Sequence, residues 1–199
     1  MMEHQRREPG TEVTLREFTE ADAEALFAWA SDPRVVFFQR REPYARVDEA
    51  RRYILDHVLP HPWYRAICLG ADAVAVGSIS VKPCCPVREG EGEGAPRASL
   101  GYRVAHGYWG RGIATRAVGM AAAAAFAEWP WLLRLEAVAD VENPASQRVL
   151  EKAGFVREGV LRRYVLLKGR RRDMLIFSLV REDLAPKLPV TEPFELNKE

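Results

Sequence analysis

One stretch restricts the possible folds more than any other: from Gly101 to Ala117 (GYRVAHGYWGRGIATRA) a β-rich run passes through a glycine-rich turn directly into a helical pattern. Such a turn is an anion site. Gly110 and Gly112 let the backbone approach a ligand closely, and the unpaired N–H groups of the first helical turn, at the positive end of the helix dipole, suit a phosphate or pyrophosphate. Arg111 and Arg116 add positive charge nearby. No GK[ST] follows, which excludes a P-loop, and Gly107, Gly110 and Gly112 are spaced GxxGxG, which is not the dinucleotide fingerprint GxGxxG.

The flanking pattern places this turn in an α/β chain. Val13 to Phe18 alternates as a half-buried strand, and Thr19 with Asp22 opens an amphipathic helix to about Ala30. Ser31-Asp32-Pro33 stops it, Val35 to Tyr44 is irregular, and a second helix runs from Val47 to near Pro60. Trp63 to Leu69 and Ala73 to Val81 read as two strands of a hairpin. Residues 98–104 form a strand, 110–128 a helix with five consecutive alanines, 132–139 a strand and 144–152 a helix. That β-α-β-α order favours a parallel strand pair. Residues 154–167 and 174–180 complete the chain as two strands around a turn at 168–173. Residues 1–12 read as a flexible N-terminus, 13–184 as one domain, 83–96 as a mobile loop within it and 185–199 as a flexible tail.

Composition excludes several classes. A chain of 199 residues, 48% hydrophobic, suffices for one well-buried domain. Lys+Arg 29 against Asp+Glu 28 gives no global reason to expect nucleic acid or a membrane surface as partner. The longest apolar run, Ala117 to Ala127, is well short of the roughly twenty residues a membrane span needs. Three cysteines without framework spacing indicate a reducing compartment, and four scattered histidines give no metal-ligand spacing. With no signal-peptide pattern among the first residues, a cytoplasmic location is expected, a nuclear one being compatible. Monomer and homodimer both fit.

Gly110-Arg-Gly112-Ile-Ala114 resembles the pyrophosphate loop Q/R-x-x-G-x-G/A of the GNAT acyltransferases, with Trp109 at the Q/R position, a departure found in the RimJ/RimL-like branch. About thirty residues on, Asn143-Pro-Ala-Ser146-Gln-Arg-Val-Leu-Glu-Lys-Ala-Gly-Phe155 resembles the second GNAT signature N-x-x-S-x-x-V-L-E-K-x-G-F. The resemblance implies a mixed, mostly antiparallel sheet whose central parallel pair splays apart, flanked by helices, with acetyl-CoA as cosubstrate and no metal. It further implies that Trp109, Gly110, Arg111, Gly112, Ile113, Ala114 and Thr115 cradle the pyrophosphate. Backbone groups of Tyr102, Arg103 and Val104 would bond the pantetheine arm as a missing strand would, Asn143 would also hold that arm, and an N–H near Val104 would meet the oxyanion. Ser146 is the candidate catalytic acid for the leaving thiolate. Asn143 and Ser146 are also good helix N-caps, and the two roles are compatible.

The expected activity is acetyl transfer to an amine, a peptide N-terminus being favoured, by direct attack in a ternary complex. Small-molecule acceptors such as amino acids or polyamines, and a non-catalytic CoA-binding role, are the rivals. The glutamate that serves as proposed base in RimL-branch members corresponds to Val165, so that role does not transfer. Glu136, Asp140 and Glu142 lie near the cleft but read first as surface or ion-paired carboxylates. Lys168 to Arg172 reads as a solvated basic turn, and Phe37, Phe38, Tyr44, Trp63 and Tyr64 as candidate acceptor walls.

Overall fold

Alternating apolar and polar residues at Val13–Arg16 form a short edge strand, β1, in a computed structural model that describes residues 12–70, 74–84 and 96–184. Of the expected flexible segments 1–12, 83–96 and 185–199, residues 1–11, 85–95 and 185–199 lie outside the described residues, as does 71–73. The ends of the expected loop are tied: Pro83 belongs to a strand, the Cys84 N–H donates to Arg97 O at 3.0 Å, and Pro96 O accepts from Leu133 and Arg134.

After β1 the Asp22 carboxylate accepts from the Thr19 N–H at 2.8 Å, closing a capping box that leads through one 3-10 turn into α1 (Ala23–Ala30). Part of the stretch expected to be irregular is a helical turn, α2 (Pro33–Val36), because Asp32 caps it and Pro33 occupies its first position. Helix α3 (Val47–Tyr53) widens into π-helical turns over Ile54–Val58. Then follow β2 (Tyr64–Leu69), β3 (Ala75–Pro83), β4 (Arg97–Val104), α4 (Ile113–Glu128), β5 (Arg134–Asp140), α5 (Pro144–Lys152), β6 (Val156–Leu167) and β7 (Arg170–Val180). None of the described helices is long and apolar enough to cross a membrane.

The described strands form one seven-stranded sheet in the order β1-β2-β3-β4-β5-β7-β6, antiparallel except for β4 and β5. That parallel pair is in register only from Arg97–Arg134 to Ser99–Glu136. Beyond it β4 continues to Val104 along β3 alone, and β5 continues to Asp140 along β7 alone. The two central strands therefore part toward their C-terminal ends, as the family resemblance implied.

Successive side chains of a strand point to opposite faces, and the two faces have separate cores. Helix α4 lays Ile113, Ala117, Val118, Ala121, Ala122 and Ala125 against Ile79, Val81, Leu100 and Val104. The alanines let helix and sheet approach closely. On the other face α1 and α3 bury Leu26, Trp29, Ala50 and Ile54 against Tyr64, Ala66 and Cys68. At the open end of β4, strand β3 passes so near that a Cβ on Gly77 would stand 2.4 Å from the Arg103 carbonyl oxygen. Only glycine allows that pairing without pushing β4 into the gap.

Two expected boundaries are corrected. Helix α4 starts at Ile113 and not at Gly110, because Gly110 and Gly112 have φ of 76° and 75°, outside the helical region. The turn expected over 168–173 is reduced to Lys168 and Gly169, which makes Arg172 a strand residue.

Candidate functional site

The segment from His106 to Gly112 links the free end of β4 to α4. A 3-10 turn at His106–Tyr108 presents the Trp109 indole, whose Nε1–H donates to the Val104 carbonyl at 2.7 Å. Trp109 thereby fastens the turn to the strand end and leaves that carbonyl one lone pair for another donor. Gly110 and Gly112 then take their left-handed conformations with open space where a Cβ would stand. Helix α4 has no side-chain cap, so the N–H groups of its first turn (Ile113, Ala114, Thr115) meet no capping side chain. Arg111 lies over the Tyr108 ring at 5.6 Å from its centroid. The turn thus combines bare backbone donors, room and nearby positive charge, the properties an anionic ligand requires.

Across the gap, Asn143 caps α5 through its Oδ1, which accepts from the Ser146 N–H at 3.1 Å. Ser146 is not the cap. Its hydroxyl lies 2.7 Å from the Tyr102 hydroxyl, so a pair of O–H groups bridges β4 to α5 where the parallel strands have separated. The Tyr102 hydroxyl is also 3.2 Å from the Ser146 carbonyl oxygen, to which it can donate. Burial, offset in part by the Ser146 bond, pushes the Tyr102 phenol up to about 12. It stays protonated through neutral pH, so the pair always holds a proton to give. Sequence reasoning had named Tyr102 for its backbone and missed its side chain.

The three carboxylates near the gap all hold guanidinium groups. Glu136 accepts from Arg97 at 3.1 Å and from Arg134 at 2.9 Å. Asp140, buried at the end of β5, takes a two-pronged grip from Arg172 at 2.6 and 2.9 Å, and Glu142 binds the same guanidinium at 2.9 Å. The ion-paired reading of these carboxylates holds. The solvated reading of the basic turn does not hold for Arg172, which is buried; Lys168 is exposed, and its ammonium donates to Val36 O at 3.2 Å and pairs with Glu42 at 3.4 Å. Val165 is the cross-strand partner of Arg172 in β6–β7, so an apolar side chain occupies the position of the expected base.

Residues 12–156 match the acetyltransferase (GNAT) domain family. The chain belongs to the GNAT acetyltransferases. An uncharacterized N-acetyltransferase of Bacillus licheniformis, p20, is 31% identical over 177 residues, covering 87% of this chain and 95% of that one. Among solved structures, Mycobacterium smegmatis RimJ in complex with CoA-disulfide is 27% identical, covering 89% of this chain and 86% of that one with a TM-score of 0.69. A GNAT-family acetyltransferase from Bacillus anthracis overlays with a TM-score of 0.74 at 21% identity, covering 87% of this chain and 97% of that one. GNAT acetyltransferases use acetyl-CoA as cosubstrate, and this chain is an N-acetyltransferase.

Arg103, one residue after Tyr102, projects to the face that carries α1 and α3. There the GNAT domain has an open cleft of about 520 Å³ lined by Arg41, Tyr44, Glu49, Arg52, Tyr53, Asp56, His57 and Arg103. Of the five aromatics singled out as acceptor walls, only Tyr44 lines it. Trp63 and Tyr64 are core residues, Trp63 donating to Glu128 at 3.1 Å and the Tyr64 hydroxyl meeting Ser78 at 3.2 Å. Phe37 and Phe38 pack edge to face on each other, with Arg172 near the Phe38 ring. The cleft lining itself, Arg41, Arg52 and Tyr53 included, carries no motif that sequence reading could have picked out.

Proposed function

We propose that this enzyme is a RimJ/RimL-like acetyltransferase that moves the acetyl group of acetyl-CoA to the α-amine of a peptide, by direct attack within a ternary complex. The supporting observation is the Tyr102–Ser146 hydroxyl pair standing in the gap between β4 and α5. The pyrophosphate lies on the turn from Trp109 to Thr115, the pantetheine arm runs along the free edge of β4 at Tyr102 to Val104, and Asn143, its Oδ1 committed to capping, offers its amide N–H to that arm. Arg111 adds charge beside the phosphates. The neutral amine attacks the thioester carbonyl carbon, forming the C–N bond; as the tetrahedral adduct collapses the C–S bond breaks. The departing sulfur takes the Ser146 hydroxyl proton, which the Tyr102 hydroxyl behind it replaces; the amine's surplus proton leaves to water, and water returns a proton to the Tyr102 phenolate, closing the cycle.

Ser146→Ala is expected to lower kcat about tenfold to a hundredfold, with CoA affinity by calorimetry nearly unchanged. The melting temperature should stay within a few degrees, because Asn143 and not Ser146 supplies the cap. A variant that keeps full kcat removes Ser146 from the chemistry.

The preference for α-amines follows from the carboxylates. Glu136, Asp140 and Glu142 are each paired with arginine, so none of these three described carboxylates is a free side-chain base beside the gap. A peptide α-amine with pKa about 7.7–8.0 is roughly a tenth neutral at pH 7, whereas a lysine-type amine near 10.4 is neutral to a few parts in ten thousand. The first needs little help. Charge in the far cleft argues against polyamines as well, since three arginines outnumber its two carboxylates, Glu49 and Asp56, and Glu49 is turned to the cap of α3. With thiol release as readout, kcat/KM for peptide α-amines should exceed that for an α-blocked lysine or spermidine by about a few hundredfold at pH 7, following the difference in neutral fraction. The rate should rise through about pH 7 to 8.5 and then level, as the α-amine itself titrates. A lysine side chain or polyamine outpacing every α-amine, or a limb near pH 6 that disappears in one carboxylate variant, would show that a dedicated base exists.

A further inference from the structure

The cleft behind β4 contains an electrostatic arrangement that the acetyl-transfer chemistry leaves unused. Arg41 stacks its guanidinium over the Tyr53 ring at 4.4 Å from the centroid and over Tyr44 at 4.7 Å, and donates to the Tyr44 hydroxyl. Arg103 reaches the same Tyr53 from β4, its guanidinium 5.9 Å from the ring centroid and its Nη2 3.5 Å from the ring hydroxyl. Two cations therefore converge on one aromatic ring. Neither forms an ion pair among the described residues, although arginines elsewhere in this protein are repeatedly paired.

Each of the two also keeps a buried N–H without a partner, Nη2 of Arg41 and Nη1 of Arg103. A buried, unsatisfied guanidinium N–H costs free energy, and two like charges side by side cost more, unless an anion completes the site. The cleft's own carboxylates do not fill that role. Glu49 is turned to the N–H groups of Ala45 and Arg46, at 2.8 and 3.4 Å, as the capping box of α3. Asp56 makes no ion pair with Arg41, Arg52 or Arg103 among the described residues. The tyrosines hold the two guanidinium groups by their faces, which fixes the forks in place and leaves N–H edges for a planar, two-oxygen acceptor.

We infer that Arg41 and Arg103 form a carboxylate-binding subsite for the acceptor, so that the preferred substrate carries a carboxylate close to the amine that is acetylated. This rests on the acetyl-transfer reading above and deepens it. The spacing is set by the chain: Tyr102, whose hydroxyl meets Ser146, and Arg103 are consecutive, about 3.8 Å apart at Cα, and project to opposite faces of the sheet. An amine entering the gap from the α1–α3 face passes Arg103 first. Its anionic group therefore belongs within a residue or two of the amine, either as an acidic side chain near a peptide N-terminus or as the chain-terminal carboxylate of a very short peptide.

The test uses the full-length protein, acetyl-CoA and thiol release with two matched acceptor pairs of nearly equal amine pKa. Alanyl-glutamyl-alanine amide against alanyl-glutaminyl-alanine amide probes a side-chain carboxylate; alanyl-alanine against its amide probes the terminal one. The wild-type enzyme should favour the acid of at least one pair about tenfold or more in kcat/KM, as expected for hydrogen bonds to a charged group, and the pair that responds identifies the source. In Arg41→Gln, and independently in Arg103→Gln, that preference should shrink to within about twofold, while calorimetry with CoA on Arg41→Gln reports a folded donor site. Equal rates within both pairs for the wild-type enzyme, or a preference that survives both substitutions, overturn the subsite and leave acetyl transfer standing. Absence of turnover with any amine overturns the acetyl-transfer reading and the subsite together.

Discussion

Arg172→Ala should be among the most destabilising single substitutions in this chain, costing about 3–5 kcal/mol, because it strands the Asp140 carboxylate without its cation in a nearly closed site. The Asp140 side chain is 1% exposed and that of Arg172 8%. Both prongs of the pair vanish together, and Glu142 loses the same guanidinium. At about 2–4 °C per kcal/mol for a domain of this size, the melting temperature should fall by roughly 6–20 °C. Arg172→Lys should restore little, since an ammonium cannot make the two-pronged contact. Removing the stranded partner as well, in Arg172→Ala with Asp140→Asn, should recover part of the loss, because breaking a buried pair costs more than replacing both members. A melt within about 2 °C of wild type would mean that water already screens the pair.

The consequence reaches the site. The Asp140 carbonyl oxygen accepts from the Asn143 N–H at 2.9 Å and from the Gln147 side chain at 3.0 Å, and its carboxylate accepts from the Glu142 N–H at 2.8 Å. The turn that delivers Asn143 and Ser146 to the gap is therefore built on the residue Arg172 holds. Activity should fall further in Arg172→Ala than the loss of folded protein alone explains.

What the sequence made legible, and what it hid, follows from which forces are local. Helix α5 was readable from Asn143 to Lys152 because an Asx cap, a proline at the first helical position and an apolar stripe all act within a few residues. The glycine turn was readable for the same reason. Its effect on the start of α4 was misjudged by three residues, since pattern alone does not reveal that Gly110 and Gly112 are left-handed. Arg172 was hidden among Arg170, Arg171 and Lys168: a charge run looks solvated unless strand register is known, and the pairing of β5 with β7 is what sets Arg172 beside Asp140. Alternation along β4 could have separated Tyr102 from Arg103, one toward α5 and one toward α3, had their side chains been weighed as well as their backbone. The convergence of Arg41 and Arg103 on Tyr53 spans residues 41 to 103 and leaves no trace in local pattern.

The largest functional effect is expected at Gly112, where Gly112→Glu should weaken CoA binding by roughly a hundredfold or more, equivalent to losing one or two charge-assisted hydrogen bonds. Two costs must be told apart. The residue has φ of 75° as N-cap of α4, a conformation that costs an L-residue about 1–2 kcal/mol wherever it occurs. The free protein leaves room for a Cβ, because no atom outside the adjoining residues lies within 4 Å of its position. Gly112→Ala therefore carries the backbone cost alone, and its CoA affinity should fall less than about tenfold with a modest loss of melting temperature. Glutamate adds a side chain and a negative charge in the space where the pyrophosphate should lie, against first-turn N–H groups that can bind only one anion at a time. Calorimetry on both variants, with melts as the folding control, separates the terms. If Gly112→Glu folds and binds CoA as tightly as Gly112→Ala does, the diphosphate does not sit on the α4 turn, and the donor must be sought elsewhere along the gap between β4 and β5.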